Sequence, residues 1–218
     1  TVKGKPVHAC MRDEQVRPGG RGNSIGVNAI DKCFLIYQAM QELEKEWGQT
    51  KTHPLFTRPG HFTIGTGQMN GGHIGSIIAD EATIAFSFWH TPQEKMEDLQ
   101  AEVAAHIKRY CDLDPWLREN PPELAWVFHW QSYDVPAEHP ICQVLSQCTK
   151  AVNPECGEIY GFPAVNDAAF INEAGIPAIA MGPGEIRYAH GANEFVEIRD
   201  IIDATKAYAL TMIEWCGI

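Results

Sequence analysis

The sequence has no apolar run near the roughly 18–20 residues that a membrane-spanning helix requires, and no signal peptide is recognisable. Basic residues are also scarce: 17 Lys and Arg stand against 28 Asp and Glu, a formal net charge of −11. Nucleic acids and anionic membranes attract basic surfaces, so this balance argues against both as partners. With 44% hydrophobic residues, the composition predicts an ordinary globular protein.

Several motifs of known chemistry are absent as well. The sequence contains no P-loop and no H-E-x-x-H. Its seven cysteines include no C-x-x-C pair, which argues against a structural zinc site made of cysteines. Reduced thiols are typical of the cytoplasm, and we expect the protein there.

Residues 1–135 carry the signals of strand, helix, strand, strand, helix and strand. Asn28 precedes a helix in which apolar residues recur at steps of three and four. The second helix follows the capping box TPQE at 91–94, with Pro92 at the first helical position. The strands are predicted at 1–9, 61–67, 82–90 and 124–130. This order predicts a ferredoxin-like α+β domain.

Residues 136–218 alternate differently, as helices and strands of an α/β segment. Helices are predicted near 140–152, 167–174 and 194–216, and strands near 157–161 and 176–181. Two strands cannot form a sheet covered by helices on both faces. We therefore expect this segment to be the last part of a larger, incomplete catalytic domain.

His190 is the first candidate functional residue. It follows a predicted strand and the turn Gly182–Pro183–Gly184, and ligands of open α/β sheets gather at the carboxyl ends of strands. These residues alone leave three roles open for His190: it binds a metal, it acts as a base, or it forms a hydrogen bond with the loop. Arg187 either holds a substrate carboxylate with its planar fork or forms a surface ion pair.

Three further candidates lie beside turns. Asp167, with Asn166, precedes a helix and either caps it or lies near a ligand. His8 ends the first predicted strand and precedes a loop rich in glycine and arginine. His73 and Ser76 belong to a glycine-rich segment that either contacts a ligand or forms a plain hairpin turn.

Five segments together resemble a known family. They are VKGKPVHA…GVNAI (2–30), GGHIGSIIADEATIAFSFWHTP (71–92), DPWLRENPPELAW (114–126), GFPAVNDAAFINEAGIPAIAMGPG (161–184) and AHGANEFV (189–196). Their order and spacing resemble the zinc deacylase and peptidase family of acetylornithine deacetylase, succinyl-diaminopimelate desuccinylase, aminoacylase and carboxypeptidase G. The deacetylase and desuccinylase branch is the most similar.

The resemblance implies a fold, a cofactor and a partner. Residues 1–135 would be a ferredoxin-like lid that forms a homodimer, and residues 136–218 the C-terminal part of the catalytic domain. The site would hold two zinc ions, with cobalt or manganese as alternatives, and His190 would be one ligand. His8 would reach the neighbouring subunit's site and stabilise the oxyanion. Substrate contacts would come from Ser76, Asp167, Gly182, Gly184 and Arg187.

The function implied is removal of an N-acyl group from a small amino-acid-like substrate. The family's remaining metal ligands lie upstream of its lid, so the 218 residues would be an inactive part of the enzyme. Two positions depart from the family's pattern: Ser76–Ile77–Ile78–Ala79 replaces an Asn-x-x-Pro turn, and Trp89 replaces a common arginine. Trp89 favours a bulkier or less charged substrate.

Two other functions agree with the residues. The chain could be a catalytically inert dimerisation module. It could also be a ferredoxin-like regulator in which the turn at His73 holds a small metabolite, although this leaves the segment around His190 unexplained.

Overall fold

The computed structural model describes residues 1–56, 58 and 60–217. These residues form two compact units, Thr1–His129 and Trp130–Ile218. The first unit contains β1 (Val2–Lys3), α1 (Arg12–Val16), α2 (Ala29–Thr50), β2 (Ile64–Gly71), β3 (Glu81–Phe88), α3 (Met96–Cys111) and α4 (Pro115–Glu119). The second contains α5 (Pro140–Val152), α6 (Ala168–Glu173) and α7 (Ile198–Cys216). No helix in the described residues is long and apolar enough to cross a membrane.

The sheet of the first unit has three antiparallel strands in the order β1-β3-β2. Val2 pairs with Ala82, and Ile64 pairs with Phe88. The pairing of β2 with β3 is irregular between Thr66 and Gln68, where the register shifts. The first two strands in the chain therefore flank the third, as a split βαβ unit requires.

One face of the sheet packs against helices. The predicted alternation in β3 is confirmed, because Ile84, Phe86 and Phe88 are less exposed than Ala85 and Ser87 between them. These side chains contact a core that contains buried residues of α2 and α3. The largest side chains below 2% exposure are those of Trp47, Met40, Leu43, Leu99 and Leu117.

The start of α2 agrees with its prediction. Asn28 has an extended backbone, and its Oδ1 accepts a hydrogen bond from the N–H of Ile30 at 3.0 Å. This bond satisfies one of the donors that a helix leaves unpaired at its first turn.

The first predicted strand of this unit is wrong in extent, and the last predicted strand does not form. β1 covers only Val2–Lys3, followed by isolated pairs at Lys5 and His8, because Pro6 between them has no N–H to donate. Residues 124–130 form no strand. Only Glu123 exchanges two backbone hydrogen bonds with Thr1, each 2.9 Å long, at the outer edge of β1.

Only half of the predicted capping box forms, and it does not begin a helix. The N–H of Glu94 donates to Thr91 O at 3.2 Å and not to the Thr91 hydroxyl. The backbone N–H and hydroxyl of Thr91 both donate to Glu94 Oε2, at 2.7 and 3.0 Å. Helix α3 starts only at Met96, after Lys95. This segment closes a separate turn. Glu94 also accepts a hydrogen bond from Lys51, which follows the last residue of α2.

The second unit is helical, with α5 packed against α7. The strands predicted at 157–161 and 176–181 are wrong, since neither segment pairs with another in the described part of the chain. Asn172 instead holds the second segment: it donates to Ala178 O at 2.7 Å and accepts from the N–H of Ala178 at 3.3 Å. The predicted end of the last helix near 216 is confirmed, because α7 ends at Cys216 and is followed by Gly217 with φ +70°.

Candidate functional site

His8 is fixed by backbone pairing with the turn at Ser76. The N–H of Ala9 donates to Ser76 O, and the N–H of Ile78 donates to Val7 O, both at 2.8 Å. His8 and Ile77 thus face each other as an antiparallel pair. The structure therefore brings together two of the predicted residues, His8 and Ser76, through the main chain.

The imidazole of His8 has one nitrogen engaged. Nδ1 accepts a hydrogen bond of 3.2 Å from the backbone N–H of Cys10. In the neutral ring, the proton therefore lies on Nε2. Since His8 is exposed, Nε2 can donate to a group outside this unit. Sequence reasoning missed the amide of Cys10, because its role depends on the short helical turn that starts at Ala9.

The arginines after His8 form ion pairs with carboxylates of their own loop and of α2. Glu14 accepts from both Arg17 and Arg21, and Arg12 lies 2.7 Å from Asp31 of α2. This loop is therefore a folded insertion around α1 and adds little free positive charge beside His8.

The predicted turn at His73 is open to solvent. The His73 side chain is 79% exposed, and its Nε2 lies 3.6 Å from Asp80. At the other end of the turn, Ala79 is buried and its carbonyl accepts from the N–H of Ala29 at 2.8 Å. The turn thus connects β2 and β3 while it supports the start of α2.

Trp89 continues the backbone pairing beyond β3. Its N–H donates to Thr63 O at 3.0 Å. Its ring lies over Gly65, where an added Cβ would come within 3.3 Å of the indole. Glycine at 65 therefore allows the indole to lie close to the strand, with 42% of Trp89 exposed.

In the second unit, the turn at 182–184 is shaped by close approach. Gly184 has φ +83°, and an added Cβ would lie 3.1 Å from Val196 Cγ2. Both features favour glycine at this position. Gly182 is exposed and has open space around its Cα.

Arg187 forms the surface ion pair that was one of its two interpretations. Its Nε lies 2.7 Å from Glu185 Oε2, and a second guanidinium nitrogen donates to Oε1 at 2.9 Å. The guanidinium also lies 4.8 Å from the centre of the Tyr188 ring. The planar fork is therefore engaged by a carboxylate of the same chain.

His190 follows in a left-handed backbone conformation. Its φ is +60°, and its N–H donates to Glu194 Oε2 at 3.0 Å. The residue is exposed. Sequence reasoning identified His190 but missed Glu194, whose signal was its position four residues later in the same motif.

The segment at Asp167 is organised by its neighbour. Asp167 is exposed and makes no side-chain capping bond to α6. Asn166 does so, because its Oδ1 accepts from the N–H of Ala168 and from the hydroxyl of Tyr133, each at 3.0 Å. Trp130 donates to the carbonyl of Asn166 at 3.1 Å. The capping interpretation therefore holds for Asn166 and fails for Asp167.

The residues present do not form a zinc site by themselves. A tetrahedral zinc takes three or four protein ligands. Within residues 1–56, 58 and 60–217, no three His, Cys, Asp or Glu side chains lie close enough to hold a metal. All seven cysteines are free thiols.

A groove of about 330 Å³ lies between α2 and β2, away from the predicted site residues. It is lined by Tyr37, Met40, Gln41, Glu44, Ile64, Gly65, Thr66 and Phe86. These lining residues do not place an acid, a base and a nucleophile together in an arrangement that would suggest catalysis.

Comparison with known proteins supports the resemblance. Residues 14–214 match the model of peptidase family M20/M25/M40. The chain is 31% identical, over 99% of its length, to N-formyl-4-amino-5-aminomethyl-2-methylpyrimidine deformylase of Halalkalibacterium halodurans, and 31% identical over 96% to that of Bacillus subtilis. Acetylornithine deacetylase of Vibrio parahaemolyticus is 26% identical over 88%. The chain spans about half the length of these relatives, 52%, 51% and 48%.

Solved structures support the fold. Aminopeptidase PepT from Bacillus cereus matches 99% of the chain with a TM-score of 0.63 and 19% identity. The M20 metallo-carboxypeptidase Sso-CP2 from Sulfolobus solfataricus matches 100% with a TM-score of 0.59 and 17% identity. The chain covers 50% and 59% of these two structures.

Proposed function

Because the chain belongs to peptidase family M20/M25/M40, we propose that it is part of an enzyme that hydrolyses amide bonds. The observation that carries this proposal is the family match over residues 14–214, with relatives named deformylase and deacetylase. We assign the first unit as a ferredoxin-like lid and the second as part of the catalytic domain. The order β1-β3-β2 and the pairing of Glu123 with Thr1 support the lid assignment.

The substrate is an amine that carries a small acyl group. The sequence alone suggests an amino-acid-like amine. The two deformylase relatives at 31% identity suggest a second class, a formyl group on an aminomethylpyrimidine. Trp89, in place of the family's common arginine, favours this uncharged planar class, because an indole offers no positive charge to a substrate carboxylate.

We assign His8 the role of oxyanion donor in the site of a second subunit. Its support is the bond from the amide of Cys10 to Nδ1, which leaves the proton of the neutral ring on Nε2. The turn at Ser76 fixes the backbone of His8 from the opposite side. Such a preorganised donor stabilises charge that develops on the carbonyl oxygen.

His190 is the zinc ligand that we assign to this chain. The residues that the structure describes include no group of three potential ligands, and we propose that the 218 residues are inactive alone. When bound, zinc would polarise the scissile carbonyl and activate water. The residues described here would contribute one imidazole and the substrate contacts near Asp167, Gly182, Gly184 and Arg187.

A second copy of the chain is the partner that the first unit suits. β2 lies at the edge of the sheet, and its residues Ile64–Gly71 include no charged side chain. Two such edges can therefore pair without opposing like charges. Next to it, α2 exposes Phe34, which contacts Tyr37 edge to face.

The test of the dimer is sedimentation of the 218-residue chain over a range of concentrations. We expect a dimer that dissociates when Phe34→Lys and Thr66→Lys are combined. Leu113→Lys is the control, because Leu113 is 79% exposed on another part of the unit. A monomeric wild-type chain at all concentrations would argue against this partner.

The test of the activity compares two acyl substrates on the longer protein that includes the upstream segment. We expect release of formate from N-formyl aminomethylpyrimidine to exceed release of acetate from N-acetylornithine. In that protein, His8→Ala should lower kcat by roughly 10²–10³-fold with little change in metal content. Hydrolysis of neither substrate, or unchanged turnover in His8→Ala, would refute the assignment that it tests.

The inert dimerisation module remains the second candidate. The folded sheet of the first unit agrees with an inert dimerisation module. The small core of the second unit does not favour such a module. A longer protein that binds zinc and forms dimers, yet hydrolyses no amide, would be this module.

A further inference from the structure

The loop between Gly184 and Val196 holds a histidine in a backbone conformation that few residues adopt. His190 is the one non-glycine residue with positive φ in the described part of the chain. Left-handed backbone crowds the Cβ of any residue except glycine, so it is uncommon for other residues even though histidine adopts it more often than most. Contacts elsewhere in the loop must therefore stabilise this conformation.

Glu194 provides the most direct of these contacts. Its Oε2 accepts the hydrogen bond of the His190 N–H at 3.0 Å. The acceptor is a carboxylate, so the bond is stronger than one between neutral groups. The bond closes a ring of five residues, 190–194, and fixes the backbone on the C-terminal side of the histidine.

Two further contacts close the same loop. The rings of Tyr188 and Phe195 lie 4.6 Å apart at 39°. The N–H of Gly191 donates to Tyr188 O at 3.2 Å. The loop that carries His190 is therefore closed by a ring pair that joins residues 188 and 195 and by a hydrogen bond that joins residues 190 and 194.

We propose that Glu194 is a positioning residue that acts through His190. By accepting the backbone N–H, it keeps His190 left-handed and so fixes the direction in which the imidazole leaves the chain. The functional part of this inference rests on the proposed role of His190 at the active site. The alternative is an incidental surface contact, in which the carboxylate changes nothing at His190.

The backbone conformation is tested by comparing glycine and alanine at position 190 in the 218-residue chain. Glycine favours left-handed backbone, so His190→Ala should have an unfolding equilibrium constant about five times that of His190→Gly. Ala189, with φ −61°, is the matched control. There the order reverses, and Ala189→Gly should be less stable than wild type. If His190→Gly were less stable than His190→Ala, as glycine is relative to alanine at position 189, the inference would be overturned.

The hydrogen bond is tested by exchange of the His190 amide, measured by NMR. Glu194→Ala should speed this exchange about ten-fold, because the N–H then faces water. Glu194→Gln should restore most of the protection, since its amide oxygen can still accept. Glu197→Ala is the control, because Glu197 makes no side-chain hydrogen bond at the start of α7. Unchanged exchange in Glu194→Ala would overturn the inference.

Activity separates this inference from the proposed function. In the longer protein, Glu194→Ala should lower kcat/KM at least ten-fold, and Glu194→Gln should recover it. If the exchange changes as expected but His190→Ala leaves turnover intact, the role of His190 fails while the backbone contact stands. If His190→Ala abolishes turnover and Glu194→Ala does not lower it, the positioning role is overturned.

Discussion

The histidines of this chain differ most in what their ring nitrogens contact. His8 and His139 each lie directly before a helical turn or helix and accept at Nδ1 the backbone N–H of the residue two positions later. His106 is buried in α3, where Nε2 lies 2.8 Å from Ala39 O and Nδ1 lies 2.8 Å from Arg109. Since a carbonyl only accepts, the proton of His106 lies on Nε2. The ring therefore bridges α2 and α3.

His106→Ala should destabilise the first unit by about 1–3 kcal/mol, because it removes a buried hydrogen bond between α2 and α3 together with the packing of a buried ring. The measurement is the free energy of unfolding in urea. His73→Ala is the matched control, since His73 is 79% exposed and should change stability by less than about 0.5 kcal/mol. Equal stability of the two variants would show that the bond to Ala39 contributes nothing.

Single residues were predictable from the sequence where a local pattern determines their role. Asn28 could be assigned because a polar residue preceded a long periodic helix, and its capping bond is present. Asp167 and Asn166 were indistinguishable, because only the path of the chain decides which side chain reaches the helix. The left-handed φ of His190 could not be predicted either, since only a small fraction of histidines adopt it.

At the scale of elements, a partly buried ionic network joins the end of α2 to α3 and to the turn before it. Lys51 donates to Glu94 and Glu102, and its ammonium lies 3.7 Å from the centre of the Trp47 ring. Trp47 in turn donates to Glu102 at 2.7 Å. Burial alone would raise the pKa of Glu94, but hydrogen bonds from Lys51 and Thr91 outweigh it and hold the pKa below the ordinary 4.5.

The contribution of Glu94 to stability should therefore depend on pH. A depressed pKa in the folded state stabilises the protein above pH 4.5, and this stability is lost as the pH falls through the folded value. The difference in unfolding free energy between wild type and Glu94→Gln should be constant above about pH 5.5 and shrink towards pH 3. Urea unfolding at several pH values measures it.

Glu97→Gln is the control for this prediction, because Glu97 is exposed in the first turn of α3. A Glu94→Gln difference that stays constant from pH 7 to pH 3 would mean that the pKa of Glu94 is not depressed in the folded protein.

Elements with strong periodicity were predictable, and elements that depend on a neighbour were not. Helices α2, α3 and α5 and strands β2 and β3 lie close to their predicted positions. The segments 124–130, 157–161 and 176–181 have the composition of strands but form none. A strand exists through its pairing, so apolar composition without a paired neighbour is insufficient.

At the scale of the whole molecule, the buried residues are unevenly divided. The first unit buries large side chains such as Trp47, Leu43 and Leu99 completely. The buried residues of the second unit are small: Cys142, Ser146, Cys148, Ala169, Ala207 and Thr211. Meanwhile α7 exposes Ile198 at 76% and Trp215 at 49%. Burial of large apolar side chains is the main source of stability, so the two units should differ in stability.

We therefore expect α5 and α7 to exchange their amide hydrogens at least about ten times faster than α2 and α3 in the 218-residue chain. Hydrogen exchange followed by mass spectrometry measures all four helices together. Leu43→Ala is the matched variant, because its cavity should cost about 2–5 kcal/mol and speed exchange in α2 and α3 only. If α7 were as protected as α2, its exposed apolar side chains would have to be covered in solution, and a second copy of the chain would be the first partner to test.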